Sequence, residues 1–161
     1  MIRFAFAATL CVAVAAPLAA AAQENEGRRL AELAFTSIDT ADRGYADMGE
    51  FMNFGGDVFY SMDADENNAL SIDEFMAWDY GMLNVAEERG RVEAYETALR
   101  VVFAFWDRDG DGAVSRTEHR QSLTFDFRRA DINDDTVLTA EEFTSGFSVM
   151  VALRAALDPN L

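Results

Sequence analysis

Residues 107–118 read Asp-Arg-Asp-Gly-Asp-Gly-Ala-Val-Ser-Arg-Thr-Glu, with a side-chain or carbonyl oxygen at every second position and a glutamate to close the run. A hard divalent cation such as calcium takes about 6–8 oxygen ligands, and a loop of this length supplies them from positions 1, 3, 5, 7, 9 and 12. Here those donors are Asp107, Asp109, Asp111, the backbone carbonyl of Ala113, Ser115 (directly or through water) and a bidentate Glu118. Gly112 stands at position 6, where the chain turns sharply and a left-handed conformation is cheapest for glycine. Val114, at position 8, is the apolar residue suited to pair strand-like with a second loop.

The same grammar recurs, and its period organises the chain. Residues 63–74 offer Asp63, Asp65, Asn67, the Ala69 carbonyl, Ser71 and Glu74. Residues 131–142 offer Asp131, Asn133, Asp135, the Val137 carbonyl, Thr139 and Glu142. Position 6 is Asn68 in one and Thr136 in the other. Asn tolerates the left-handed region, whereas a β-branched Thr is strained there, so the last loop is expected to bind more weakly than its ligands suggest. Residues 39–50 keep the ends but lose the middle, with Ala41 at position 3 and Arg43 at position 5. One reading is a weak site in which Asp42 or Asp47 compensates. The reading favoured here is a vestigial loop kept for pairing, with Arg43 partly replacing the charge of an ion.

The flanks repeat as well. Phe35, Phe59, Phe103 and Phe127 each precede a loop's first Asp by four residues, and Phe51, Phe75 and Phe143 each follow a closing Glu. His119 fills that second slot after the third loop. These rings read as the shared core of a helical array rather than a cofactor box, and the single histidine reads as a packed residue, not a catalyst. On these residues the chain resembles the EF-hand superfamily over about 35–143. The resemblance implies an all-α fold of four helix–loop–helix units in two closely spaced pairs, with short β-type contacts between loops. It also implies reversible calcium binding, in some members coupled to exposure of an apolar groove.

The first residues carry a different signal. Met1-Ile2-Arg3, an apolar run from Phe4 to about Leu18 and Ala20-Ala21-Ala22 read as a secretory signal peptide over 1–22. The domain is then expected over 23–161, exported to a bacterial periplasm or secreted. The run is short for a membrane span, and no membrane insertion is expected after cleavage. Cys11, the one cysteine, lies inside the signal, so disulfides are not available to the remainder. Metal binding can take over that stabilising role, since an ion that binds only the folded state adds to its stability.

Charge and composition narrow the function. There are 29 Asp and Glu against 13 basic residues, all arginine, and eighteen of the acids fall inside the four loops. Acidity so placed serves cations, and it opposes nucleic acid and anionic membrane surfaces as partners. Without lysine, and with one histidine, nucleophilic catalysis has little material. No glycine-rich phosphate loop or His-Glu-x-x-His pattern occurs. The expectation is a binding protein, not an enzyme: an exported calcium buffer or sensor with calcium as its cofactor. The alternatives are a lanthanide-binding periplasmic protein and a calcium-stabilised structural or partner-binding module. Five methionines between Met48 and Met82 would suit an adaptable groove, but core filling is the commoner use.

Spacing sets the architecture. Only residues 51–62 separate the first two loops, and only 119–130 the last two. Twelve helical residues span about 18 Å, so a single helix is expected to serve both loops, with Leu123, Phe127 and Ala130 on one face of Thr117–Ala130. Exported bacterial EF-hand proteins of the lanmodulin type resemble the chain in these short connections. Those loops have proline at position 2, where this chain has Thr40, Ala64, Arg108 and Ile132; the chain departs there from the lanthanide-selective pattern, which leaves calcium as the default. Loops at opposite ends of one helix cannot pair side by side. The expected pairing is therefore crossed, loop two with loop three through Leu70 and Val114, and loop one with loop four through Ala46 and Leu138. Gly55-Gly56 leaves open a break that lets loops one and two fold together. Further helices are expected over about 25–38, 72–82, 85–106 behind an Asn84–Glu87 capping box, and 140–157. The residue at position 9 of each loop (Asp47, Ser71, Ser115, Thr139) is a natural N-cap.

Overall fold

The computed structural model describes residues 29–78 and 80–158; the expected signal, its cleavage point and the start of the first helix lie outside them. The chain is mainly helical, with two short antiparallel strand pairs. Helix α1 covers 29–38. Then follow β1 (Tyr45–Asp47), α2 (Met48–Met62), β2 (Ala69–Ser71), α3 (Ile72–Ala77), α4 (Leu83–Glu88) and α5 (Val92–Trp106). The second half comprises β3 (Ala113–Ser115), α6 (Arg116–Ala130), β4 (Val137–Thr139), α7 (Ala140–Gly146) and α8 (Ser148–Leu157). No helix of the described residues is long and apolar enough to cross a membrane.

Both short connections are single helices, α2 and α6, packed against one another. Gly55 does not break α2; it lets the two helices approach, because a Cβ there would overlap Leu123 Cδ1 of α6. The strands therefore pair crosswise, β1 with β4 in the register Ala46↔Leu138, and β2 with β3 in the register Leu70↔Val114. All four of these position-8 side chains are buried. Two loops held apart by a rigid 15-residue helix must take their strand partners from elsewhere, and the other connecting helix presents two more.

The aromatic stripe forms the core. Phe35, Phe59, Phe103 and Phe127 are all buried, and in each repeat the ring residue's carbonyl accepts the N–H of the loop's first Asp at 2.8–3.0 Å. Phe51 sits edge-on to Phe127, Phe143 and Phe147, with centroids 5.2–6.5 Å apart. Phe75 does the same with Phe103 and Trp106. Burying one such ring stabilises a fold by about 1.5–3 kcal/mol, so the repeat itself supplies much of the driving force. Met62 and Met82 are buried, and Met48, Met52 and Met76 pack against the same core. Filling core space is thus the role of Met62 and Met82.

Four helix features differ from expectation. The helix after loop two ends at Ala77, not near 82: Trp78 is extended, and Tyr80 turns back, its ring against Phe75 and its hydroxyl donating to the Phe75 carbonyl at 3.2 Å. Asn84 is no N-cap; it lies inside α4, which starts after Met82 without a side-chain cap. The expected 85–106 helix is two, because Gly90 adopts φ +63°. There Arg91 N–H donates to the Ala86 carbonyl and Gly90 N–H to that of Glu87, the paired bonds of a glycine-terminated helix end. The last helix likewise breaks at Phe147, whose extended backbone carries its ring onto Phe143 and Phe51 and sends α8 back against α5.

Candidate metal centres

Each loop wraps around its first aspartate. One carboxylate oxygen accepts the N–H of position 5 and the other that of position 6: Arg43 and Gly44 on Asp39, Asn67 and Asn68 on Asp63, Asp111 and Gly112 on Asp107, Asp135 and Thr136 on Asp131, all at 2.7–3.2 Å. In the last three loops the position-3 side chain accepts the N–H of position 5, and the position-5 side chain that of position 7. A carboxylate oxygen has two lone pairs, so one that accepts a single amide keeps the other to turn inward. Amides on the outside thus hold oxygens toward a common centre.

Every closing glutamate is tied to the start of its outgoing helix, and two of them also reach back across the loop. Asp47, Ser71, Ser115 and Thr139 are the N-caps of the outgoing helices, and each forms a reciprocal capping box with the Glu at position 12. In loops two and three the second carboxylate oxygen reaches back across the loop. Glu74 Oε1 accepts the N–H groups of Ala64 and Asp65, and Glu118 Oε1 those of Arg108 and Asp109. The Ser115 hydroxyl and N–H, with these amides, hold the Glu118 carboxyl down at about 2, and Ser71 lowers that of Glu74 similarly. Both groups are anionic at any ordinary pH, as a hard cation requires.

Loops two and three are the ones whose carboxylates converge. Ligand oxygens of Asp63, Asp65 and Glu74 lie within 4.8 Å of one another, and so do those of Asp107, Asp109 and Glu118; among the described residues no other acidic group does this. One member of each triad is buried and one is exposed, so an ion would have a water-facing entrance and a fixed inner wall. The antiparallel pairing sets the position-7 residue of each loop against position 9 of the other, Ala69 opposite Ser115 and Ser71 opposite Ala113. A further tie joins them, since Arg116 donates to both the carbonyl and the side chain of Asn68.

The fourth loop brings Asp131, Asn133, Asp135, Val137, Thr139 and Glu142 into the same wrap, with Asp131 and Glu142 buried. Its closing glutamate accepts only through the capping box, from Thr139 N–H and hydroxyl. Thr136 is held at φ +70°, the strained conformation its β-branch disfavours. In loop one the Arg43 guanidinium lies between Asp47 Oδ2, at 2.8 Å, and Glu50. Asp47, then Glu50, hold its charge in place, and the arginine in turn lowers the Asp47 carboxyl. A cationic side chain thus fills the space between the two groups that would close on an ion.

Sequence reasoning missed a second left-handed position. Position 4 also has positive φ in every loop, at Asp42, Glu66, Gly110 and Asp134 (51–73°). Gly110 was the one available signal, and three non-glycine residues in its place mask the rule. His119, by contrast, lies where expected, buried between the rings of Phe59 and Trp106 at 5.0 and 5.1 Å. No protein-family model matches the chain, and no curated protein matches it either.

Proposed function

We propose that the chain is an exported EF-hand protein that binds calcium, principally through loops two and three, and serves as a calcium buffer or sensor rather than as an enzyme. The observation that carries this reading is the convergence of two all-oxygen triads, Asp63–Asp65–Glu74 and Asp107–Asp109–Glu118, on loops whose amides already brace every ligand. Oxygen donors of this kind, presented by a loop and one closing glutamate, suit a large hard cation better than zinc or copper, which favour nitrogen and sulfur. Loop four is the weaker third site. Loop one is a pairing element whose ion is replaced by Arg43.

The paired strands supply a reason for cooperation. Loops two and three share a strand pair, so ordering one lowers the conformational cost of ordering the other. Export is supported by the pattern of residues 1–22, and calcium over lanthanides by the absence of proline at position 2 of the loops.

Isothermal titration of the chelator-treated protein tests the reading. Glu118→Gln removes one oxygen charge from the most complete loop and should delete one tight site while leaving the helical content intact. With a dissociation constant in the range of roughly 10⁻⁶–10⁻³ M typical of sensors and extracellular modules, the loss is directly measurable. Unchanged stoichiometry and affinity in the variant would refute the assignment, and a parallel lanthanide titration tests the choice of ion.

A further inference from the structure

We propose that the groove between α5, α6 and α8 is a binding site for a small amphiphile with an anionic head, distinct from the cation-ligand positions but adjoining loops three and four, which contribute Arg108 and Ile132 to its lining. The groove has a volume of about 720 Å³, within the roughly 300–1,000 Å³ usual for small-ligand sites. Among the described residues eight large apolar side chains are exposed, and five of them (Val101, Phe105, Phe125, Ile132 and Val151) line this one feature. Phe105 is 73 % exposed and Phe125 56 %. Apolar surface this concentrated on a soluble face is unfavourable unless something covers it.

The floor is polar and incomplete. Asp126 is buried there and already satisfied by the Ser148 hydroxyl at 2.5 Å, by Arg129 and by the Trp106 ring N–H. Ser122 lines the same groove, 2 % exposed, and its hydroxyl has no hydrogen-bond partner. A buried hydroxyl left without a partner is costly, and a ligand that carries a hydrogen-bonding group on its apolar body would satisfy it.

The mouth fixes the sign of the head group. Arg108 stacks over the Phe125 ring at 4.9 Å and makes no ion pair among the described residues. Arg129 faces the groove as well, its charge balanced by Asp126. One cation without a direct ion pair therefore lines an apolar groove on a chain of formal net charge −16, its sequence neighbours Asp107 and Asp109 being turned to the loop-three triad. A second copy of so acidic a chain is repelled by that charge, whereas a single anionic group of small size is attracted to Arg108. The ring-stacked guanidinium is pre-organised to receive it.

Two dyes with one aromatic body separate the contributions. Anilinonaphthalene sulfonate carries the anion, phenylnaphthylamine is its uncharged parent, and both carry an amine N–H able to donate to a hydroxyl such as that of Ser122. Fluorescence titration of the calcium-saturated protein should give one site for each dye, with the sulfonate at least about tenfold tighter, a step of roughly 1.4 kcal/mol. Arg108→Gln should abolish that preference and leave the uncharged dye's affinity unchanged. Phe125→Glu should weaken both dyes at least tenfold, and its exposure makes the substitution compatible with folding, which circular dichroism checks. Equal affinities in the unmodified protein, an undiminished preference in Arg108→Gln, or unchanged binding in Phe125→Glu would each overturn the proposal.

Discussion

Replacing His119 by phenylalanine should remove a defined part of the protein's acid sensitivity. Three of the four repeats place a phenylalanine after the closing glutamate, and the third places this histidine between Phe59 and Trp106, 3 % exposed. Burial, followed by the nearby Arg116 charge, lowers its pKa from 6.5 to about 4. The folded state therefore holds the imidazole neutral, while the unfolded chain takes up a proton below pH 6.5. Stability from this group is complete above 6.5 and is lost as pH falls toward 4, because in that window the unfolded state binds more protons. The difference between 6.5 and about 4 amounts to roughly 3 kcal/mol, a large share of the roughly 5–15 kcal/mol usual for a domain. Urea unfolding in chelator at pH 7.5 and pH 4.5, for the parent and His119→Phe, isolates it. The carboxylates that also titrate, Glu118 among them, are common to both proteins and cancel in the difference. The parent should lose roughly 2–3 kcal/mol more than the variant between the two pH values. Equal losses would refute the buried neutral histidine.

Other perturbations test other parts of the argument. Ala41→Asp with Arg43→Asp removes the guanidinium from between Asp47 and Glu50 and should add one calcium site, read by titration stoichiometry. Thr136→Gly relieves a residue held at φ +70°; relief of about 1–2 kcal/mol less the extra freedom of glycine in the unfolded chain should leave a gain of roughly 0.5–1 kcal/mol in denaturant unfolding. Gly146→Ala places a methyl against the Ala130 backbone, where α7 meets the end of α6, and should destabilise by about 1–3 kcal/mol.

What the sequence determined by itself is the repeat and most of what is local to it. Oxygen donors at alternate positions, a phenylalanine four residues ahead of each loop and a hydroxyl or carboxylate at position 9 are each legible, because their partners lie within a dozen residues. The capping boxes at Ser71 and Ser115, the wraps around Asp63 and Asp107 and the arginine substitution in loop one follow from that range alone. The crossed strand pairing was also within reach, since a twelve-residue spacer forces loops to opposite ends of one helix. Tertiary structure decided what depends on contacts between distant segments. Gly55 reads as a helix breaker until Leu123 of α6 comes to lie against it. The break at Phe147 is made by packing Phe147 onto Phe51 and α8 onto α5, and no local pattern records it. The amphiphile groove is the extreme case. Phe105, Phe125, Ile132 and Val151 stand on four separate segments, and only the docking of α5, α6 and α8 makes one surface of them.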